Sequence, residues 1–503
     1  MDDDVEQKEK DCFVSVLRCM ERNVEDFGDK IAICDEHNSI TFAELHKMAG
    51  RRAFAIRQHV AGKGNCIGIS ASNSADTVVN ILSVLYSGNF YLLLDTFLPE
   101  YIVHDVCRRT NVKLLLTSEV NFGLENKGSC IVTSEISSET ETFYAEMEAE
   151  DCLYTVLTSG TTGKPKIILK THEAMELFIQ NYIQVFHLTS REIIGNGIPF
   201  YSDASAKDIY SMIYLGARLV IVPEKFFAVP YMLIRYMNKE NITIISWVPS
   251  AYSLVAHFDI LKVEIPKSLR KAIFIGEQVP IETVLYWREK MPLVSFYNTY
   301  GMSELAGICA WYEIPEGNQE QLAVGQPFAH CKLIFVDEQM RPSDKGKLLL
   351  KSESLALGYF TDYGFEKLEM VEIETENGVI EEFYDTGDIG KLDKQGNYVI
   401  TGRNDYQRKY IGYLIELQGI EAILMKFKGV CNTVCLFDDN RIVAVIQLAS
   451  DTCEERKKVE HYCRIKLQRY MRPSVYCYVN EMPLNRNGKI NRYYLQNNWK
   501  GFR

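Results

Sequence analysis

Residues Tyr154–Ala174 read YTVLTSGTTGKPKIILKTHEA, and this stretch decides how the rest of the chain is understood. An apolar, strand-like run feeds a loop of small hydroxyl residues and glycines, Thr158, Ser159, Gly160, Thr161, Thr162 and Gly163, followed by Lys164 and Lys166. Glycines let backbone N–H groups converge on an anion, hydroxyls add donors and lysines supply charge, so the composition suits a triphosphate. The spacing differs from G-x-x-x-x-G-K-[ST], and Pro165 follows Lys164, which excludes a Walker A loop. Taken alone, GTTG reads equally well as a surface turn.

On either side, apolar runs such as CIGIS (Cys66–Ser70), VKLLLTS (Val112–Ser118), ARLVIV (Ala217–Val222), ITIISWV (Ile242–Val248) and KAIFIGE (Lys271–Glu277) alternate with segments of helical spacing. FAELHKMAGRRAFAIRQHV, Phe42–Val60, is an example. This alternation predicts an α/β fold with parallel-rich sheets covered by helices. The last hundred residues differ, with a compact pattern of helix, strand and helix that includes VCLFD and IVAVIQL. That change predicts a large N-terminal domain, 1–402, and a small α+β C-terminal domain, 403–503.

The chain has 503 residues, too many for one continuous core, and its 47% hydrophobic and 24% charged content is that of a globular protein. A net charge of −12 argues against a broad nucleic-acid surface, which needs clustered cations. The acidic start MDDDVEQKEK is unlike a signal peptide. Val78–Leu94 is interrupted by Asn80, Ser83, Ser87, Gly88 and Asn89, so it reads as packed core and predicts no membrane insertion. Fourteen scattered cysteines without a repeated C-x-x-C pair fit reduced buried thiols and a cytoplasmic enzyme.

TSGTTGKPK resembles the phosphate-loop motif of the adenylate-forming (AMP-binding) superfamily, which comprises acyl-CoA synthetases, luciferases and the adenylation domains of nonribosomal peptide synthetases. Further matches follow in that family's order: NTYGMSE at Asn298–Glu304, YDTGD at Tyr384–Asp388, GRNDYQRK at Gly402–Lys409 and PLNRNGKINR at Pro483–Arg492. The resemblance covers almost the whole chain. It implies ATP-dependent activation of a carboxylate with Mg²⁺, followed by transfer to a thiol as the C-terminal domain rotates.

Residue roles follow from the resemblance. Lys489 matches the catalytic lysine that contacts the substrate carboxylate and the α-phosphate, and Glu304 the acidic residue that holds Mg²⁺. Tyr300 resembles the aromatic packed on adenine, with Gly276, Glu277, Asn298, Thr299 and Gly301 around the base and Ser303 by the α-phosphate. Asp388 matches the carboxylate that accepts the ribose hydroxyls, and Arg403 the arginine beside it. Asp405 matches the hinge and Gly412 the glycine by the incoming pantetheine arm. Ile411 and Leu414 depart from the arginines that usually flank that glycine.

Amino-acid-activating members carry an aspartate that pairs with the substrate α-ammonium, and PFYSDASAKDIY aligns Asp203 with it. A carboxylate buried there without a cation would be costly, which favours an amino acid. The other reading of Asp203 is a helix cap. The alignment places Ala204, Lys207, Ser246, Ile273, Ile275, Thr299, Gly307 and Ile308 around the side-chain pocket. Lys207 leaves two alternatives open: an acidic substrate if its ammonium enters the pocket, a small neutral one if it snorkels to solvent. With no carrier domain following, the expected acceptor is the phosphopantetheine of a separate carrier protein. The free-standing form is similar to D-alanine:carrier-protein ligase, although Ile275 replaces the cysteine those enzymes place before the GE of the pocket strand. A stand-alone enzyme of a peptide natural-product pathway fits equally; a carboxylate:CoA ligase acting on a small acid is an alternative, and a non-catalytic nucleotide-binding partner of a larger assembly is another, against which the presence of Lys489, Glu304 and Asp388 argues.

Overall fold

The computed structural model describes residues 13–117, 129–133, 136–137, 140–158, 165–317, 322–375, 378–403, 407–410, 413–438, 440–483 and 490–502. The apolar runs become strands of two large sheets, each mainly parallel at its centre. In the eight-stranded sheet, Phe90–Asp95, Cys66–Ala71 and Leu114–Thr117 lie parallel, and Cys152–Thr158 joins their edge. Every residue of Cys66–Ala71 is buried, so the run lacks the alternation of a strand with one face in water.

The nine-stranded sheet sets Ser295–Tyr300, Lys271–Phe274, Ile244–Trp247, Ile193–Asn196 and Arg218–Ile221 side by side in parallel register. A third, antiparallel sheet contains Lys345–Ser352, Ile380–Leu392 and Tyr398–Arg403. The longest apolar stretch resolves into the helix Ala75–Tyr86, all but one of whose residues are buried, and the strand Phe90–Asp95. Among the described residues, no helix is long and apolar enough to cross a membrane.

FAELHKMAGRRAFAIRQH forms the helix Phe42–His59, opened by a capping box in which the Thr41 hydroxyl accepts from the Glu44 N–H and Glu44 accepts from Thr41 N–H. After the antiparallel sheet the chain builds cores of its own. Ile415, Ile420, Leu424, Val459 and Cys463 form one, and Val434, Val443, Leu495 and Trp499 another. Between these cores lies a three-stranded sheet of Val430–Asp438, Arg441–Leu448 and Val475–Val479. The expected α/β fold with a C-terminal α+β subdomain is therefore present, and VCLFD and IVAVIQL are the two arms of one hairpin.

His172 opens the helix His172–Val185, almost fully buried against the Phe13 ring, and neither ring nitrogen has a hydrogen-bond partner. Burial pushes its pKa down to about 4 against a slight opposing pull from Asp151. The native state thus holds a neutral imidazole that the unfolded chain protonates near pH 6.5. Stability from this site is fully present above that pH and is lost as pH falls toward the folded value. Denaturant titrations at pH 7 and pH 5 should show a loss of about 2 kcal/mol from this group, and His172→Leu should flatten the acid limb by that amount.

Candidate active site

The strands Cys152–Thr158 and Lys166–Thr171 pair antiparallel, with Thr158 opposite Lys166. The hairpin therefore carries the ends of the quoted loop to the rim of a cavity, where Thr158 and Lys166 both line the wall. Ser159, Gly160, Thr161, Thr162, Gly163 and Lys164 lie outside the described residues, as do Asp405, Gly412 and Lys489. Opposite the hairpin the wall is completed by Ser202, Asp203, Ala204, Lys207, Ile275 and Gly276, then Gly301, Ser303, Glu304, Gly307 and Ile308. Residues matched separately along the sequence thus converge on one space.

Two glycines shape it. Gly307 has φ +89°, and a Cβ there would lie 2.3 Å from the Phe178 ring. At Gly301 a Cβ would lie 2.6 Å from the Gly307 carbonyl oxygen. Both positions are closed to larger residues by backbone or ring, not by flexible side chains.

Asp203 does not cap a helix. The following helix, Ala206–Leu215, has Ser205 at its N-cap, and Asp203 lies in a single 3₁₀ turn before it. Its carboxylate instead accepts from the Tyr154 hydroxyl at 2.8 Å and from Lys170 Nζ at 2.6 and 2.7 Å. Lys170 has no solvent exposure, and its third N–H donates to the Leu305 carbonyl at 2.8 Å. Burial lowers the Lys170 pKa, while Asp203 and Glu304 oppose that shift. The expectation that Asp203 lacks a cation of its own is corrected: the chain provides one.

Lys207 follows neither alternative drawn from the sequence. It is 2% exposed, and its ammonium donates to the Ala204 carbonyl at 2.9 Å and to Asp208 Oδ2 at 3.0 Å. Burial pushes the Asp208 carboxyl up to about 6 despite that partner. Nothing in the sequence pattern except the adjacent Asp208 signals this pairing. Ser246, Ile273 and Thr299 are buried behind the wall; the Thr299 hydroxyl donates to the Phe274 carbonyl at 2.7 Å.

Glu304 lines the cavity and accepts from the Tyr359 hydroxyl at 3.2 Å, which in turn bonds Tyr384 at 3.1 Å. No group of three His, Cys, Asp or Glu side chains suited to a metal occurs among the described residues. A divalent ion here would take Glu304 together with phosphate oxygens and water, the hard oxygen set that Mg²⁺ accepts.

Asp388 and Tyr300 are both buried and are absent from the described lining, where Asp385, Thr386, Gly387 and Arg403 stand in front of them. Asp388 Oδ1 accepts from Arg403 at 2.9 Å and Oδ2 from the Tyr300 hydroxyl. Asn298 donates to the Ala323 carbonyl at 2.7 Å, and neither it nor Glu277 is in the described lining. Tyr300, Asp388 and Arg403 nevertheless form one contiguous cluster.

The C-terminal part closes the remaining side with residues the sequence reading did not select: Tyr413, Gln468 and Tyr470. Tyr413 and Tyr470 stack at 3.9 Å and 5° between planes, and the Tyr413 hydroxyl donates to Tyr201 at 3.2 Å. Tyr413 belongs to the hairpin Gln407–Tyr410 and Tyr413–Glu416.

This fold, with a loop-bearing hairpin, a cavity carboxylate and a C-terminal subdomain over it, defines an adenylate-forming enzyme. The chain matches the AMP-binding enzyme family over residues 20–360 and belongs to it. Zwittermicin A synthase ZmaJ of Bacillus cereus is 26% identical over 501 residues, covering 95% of this chain and 94% of that protein. Gramicidin S synthase 1 of Brevibacillus brevis is also 26% identical, over 96% of this chain but 44% of its own length. Among solved structures, an NRPS protein containing adenylation and PCP domains superposes with TM-score 0.82 at 21% identity, covering 96% of this chain and 84% of that one. An o-succinylbenzoate CoA synthetase from Bacillus subtilis reaches 0.81 at 22% identity, covering 95% and 97%.

Because Lys207 is the counter-ion of a buried Asp208, Lys207→Met should destabilise the protein by about 3–5 kcal/mol in urea unfolding. The double variant Lys207→Met/Asp208→Leu should recover most of that loss.

Proposed function

We propose that this enzyme uses ATP and Mg²⁺ to convert an amino acid into an aminoacyl adenylate and then passes the aminoacyl group to the phosphopantetheine thiol of a carrier protein. The observation that carries this reading is the placement of Asp203, a carboxylate lining the same cavity as Ser303, Glu304, Thr158 and Lys166. A substrate whose α-ammonium approaches Asp203 has its carboxylate directed into the region of these polar groups. The likeness to Zwittermicin A synthase ZmaJ, to Gramicidin S synthase 1 and to an NRPS protein containing adenylation and PCP domains supports an amino acid over a plain acid.

In the first step a carboxylate oxygen attacks the α-phosphorus, and the bond to the β-phosphate bridging oxygen breaks to release pyrophosphate. Bringing anions together is the obstacle, so positioning and charge stabilisation supply the rate. Lys166, with the loop Thr158–Lys164, would hold the phosphates, and Ser303 would donate to the α-phosphate. Mg²⁺, when held by Glu304, would neutralise phosphate charge. Tyr300, Asp388 and Arg403 would bind the nucleoside after Asp388 exchanges its present partners for ribose hydroxyls. Lys489, carried by the lid 403–503 turning about Asp405 on the body 1–402, would reach the carboxylate. In the second step the thiolate attacks the acyl carbonyl and AMP leaves with the bonding electrons. Gly412 and the neighbouring Tyr413 would border the pantetheine.

The second reading, a carboxylate:CoA ligase, is favoured by the Lys170 counter-ion of Asp203. Amino-acid-dependent exchange of pyrophosphate into ATP tests the first step. It should fall at least about a hundredfold in Lys489→Ala. Competition between free CoA and a phosphopantetheinylated carrier tests the second, with the carrier expected to win. Exchange supported by benzoate or short fatty acids and by no amino acid would remove the amino-acid reading.

A further inference from the structure

Lys170 is the feature of the cavity that the proposed reaction leaves unexplained. An ammonium has three N–H donors, and here all three have acceptors: Asp203 Oδ1, Asp203 Oδ2 and the Leu305 carbonyl. The side chain has no solvent exposure and stands over the Tyr154 ring at 5.3 Å. Asp203 keeps 13% exposure and still lines the cavity, so its carboxylate, with about four lone-pair sites and three donors, retains capacity for one more hydrogen bond.

The pair as it stands is neutral. A substrate ammonium arriving at Asp203 would add a second cation to a carboxylate already shared with the first, in a site of low polarizability where like charges repel strongly. A neutral donor at the same carbon would fill the remaining acceptor position without that repulsion. A resident lysine therefore removes much of the advantage that charge would otherwise give an α-amine.

We propose that Lys170 is a specificity-determining residue that makes a charge on the substrate's α-substituent dispensable, so that 2-hydroxy acids are activated alongside amino acids of the same side chain. The proposal rests on the reading that Asp203 faces the α-substituent. It acts through Asp203, and Lys170 is a positioning residue that touches no reacting atom.

The experiment is pyrophosphate exchange with the full chain on matched pairs, such as alanine with lactate, leucine with 2-hydroxyisocaproate and phenylalanine with 3-phenyllactate. For whichever side chain is used best, kcat/KM for the amino acid and the hydroxy acid should agree within about tenfold in the wild type. Lys170→Met should raise that ratio by about tenfold or more in favour of the amino acid, and Lys170→Arg should return it toward the wild-type value. Rejection of every hydroxy acid by more than about a hundredfold while an amino acid exchanges, or an unchanged ratio in Lys170→Met, would overturn the proposal and leave the amino-acid reading intact. Exchange by unsubstituted acids alone would overturn both. If Lys170→Met does not fold, the wild-type ratio decides.

Discussion

Ion pairs built on buried ammonium groups govern this cavity. Lys170 and Asp203 meet at its wall, and Lys207 and Asp208 lie close by; each side chain would be expensive to bury without the other. The consequence is geometric as much as energetic. The strand Lys166–Thr171 is tied to the turn Ser202–Ser205 through Asp203 and to the loop after Gly301 through Leu305, so three distant segments share one ammonium. Any movement of the wall must carry the ion pair with it.

The remainder of the architecture follows from where sheets end. The hairpin of the eight-stranded sheet delivers Thr158 and Lys166, the strand Lys271–Phe274 of the nine-stranded sheet leads into Ile275 and Gly276, and Ser295–Tyr300 runs into Gly301 and Glu304. Ligand crevices outside the carboxyl ends of parallel strands are a general property of open α/β sheets. The antiparallel sheet contributes differently, through Tyr384–Gly387 in the middle of its strand Ile380–Leu392 and not through a strand end.

Much of this was legible in the sequence because it depended on local pattern. CIGIS, ARLVIV, ITIISWV and KAIFIGE became strands, and Phe42–His59 a helix, since continuous apolar runs and helical periodicity report burial directly. The ordered motifs likewise brought Thr158, Lys166, Asp203, Ser303 and Glu304 to one cavity. Side-chain partners were not legible. Lys170 stands in IILKT, where the strand pattern demands a buried residue, and a lysine there required a carboxylate from elsewhere; its partner is 33 residues away and set by tertiary packing. For Lys207 the sequence allows a side chain facing substrate or solvent, whereas its ammonium pairs with the next residue, Asp208. Tyr413 and Tyr470 carried no motif, and only their stacking across the C-terminal subdomain marks them.

That stacked pair has an implication for motion. The flat ring contact, Tyr413 on Tyr470, is internal to the C-terminal subdomain, whereas Tyr413 meets the body through a hydrogen bond to the Tyr201 hydroxyl and a wider ring pairing at 6.5 Å. Nearby, Tyr101 adds another by donating to the Lys466 carbonyl at 2.7 Å. Bonds of this kind are replaced by water at small net expense. A subdomain held at this edge by exchangeable hydroxyls and a widely spaced ring pair can part there while its tight Tyr413–Tyr470 stack stays whole.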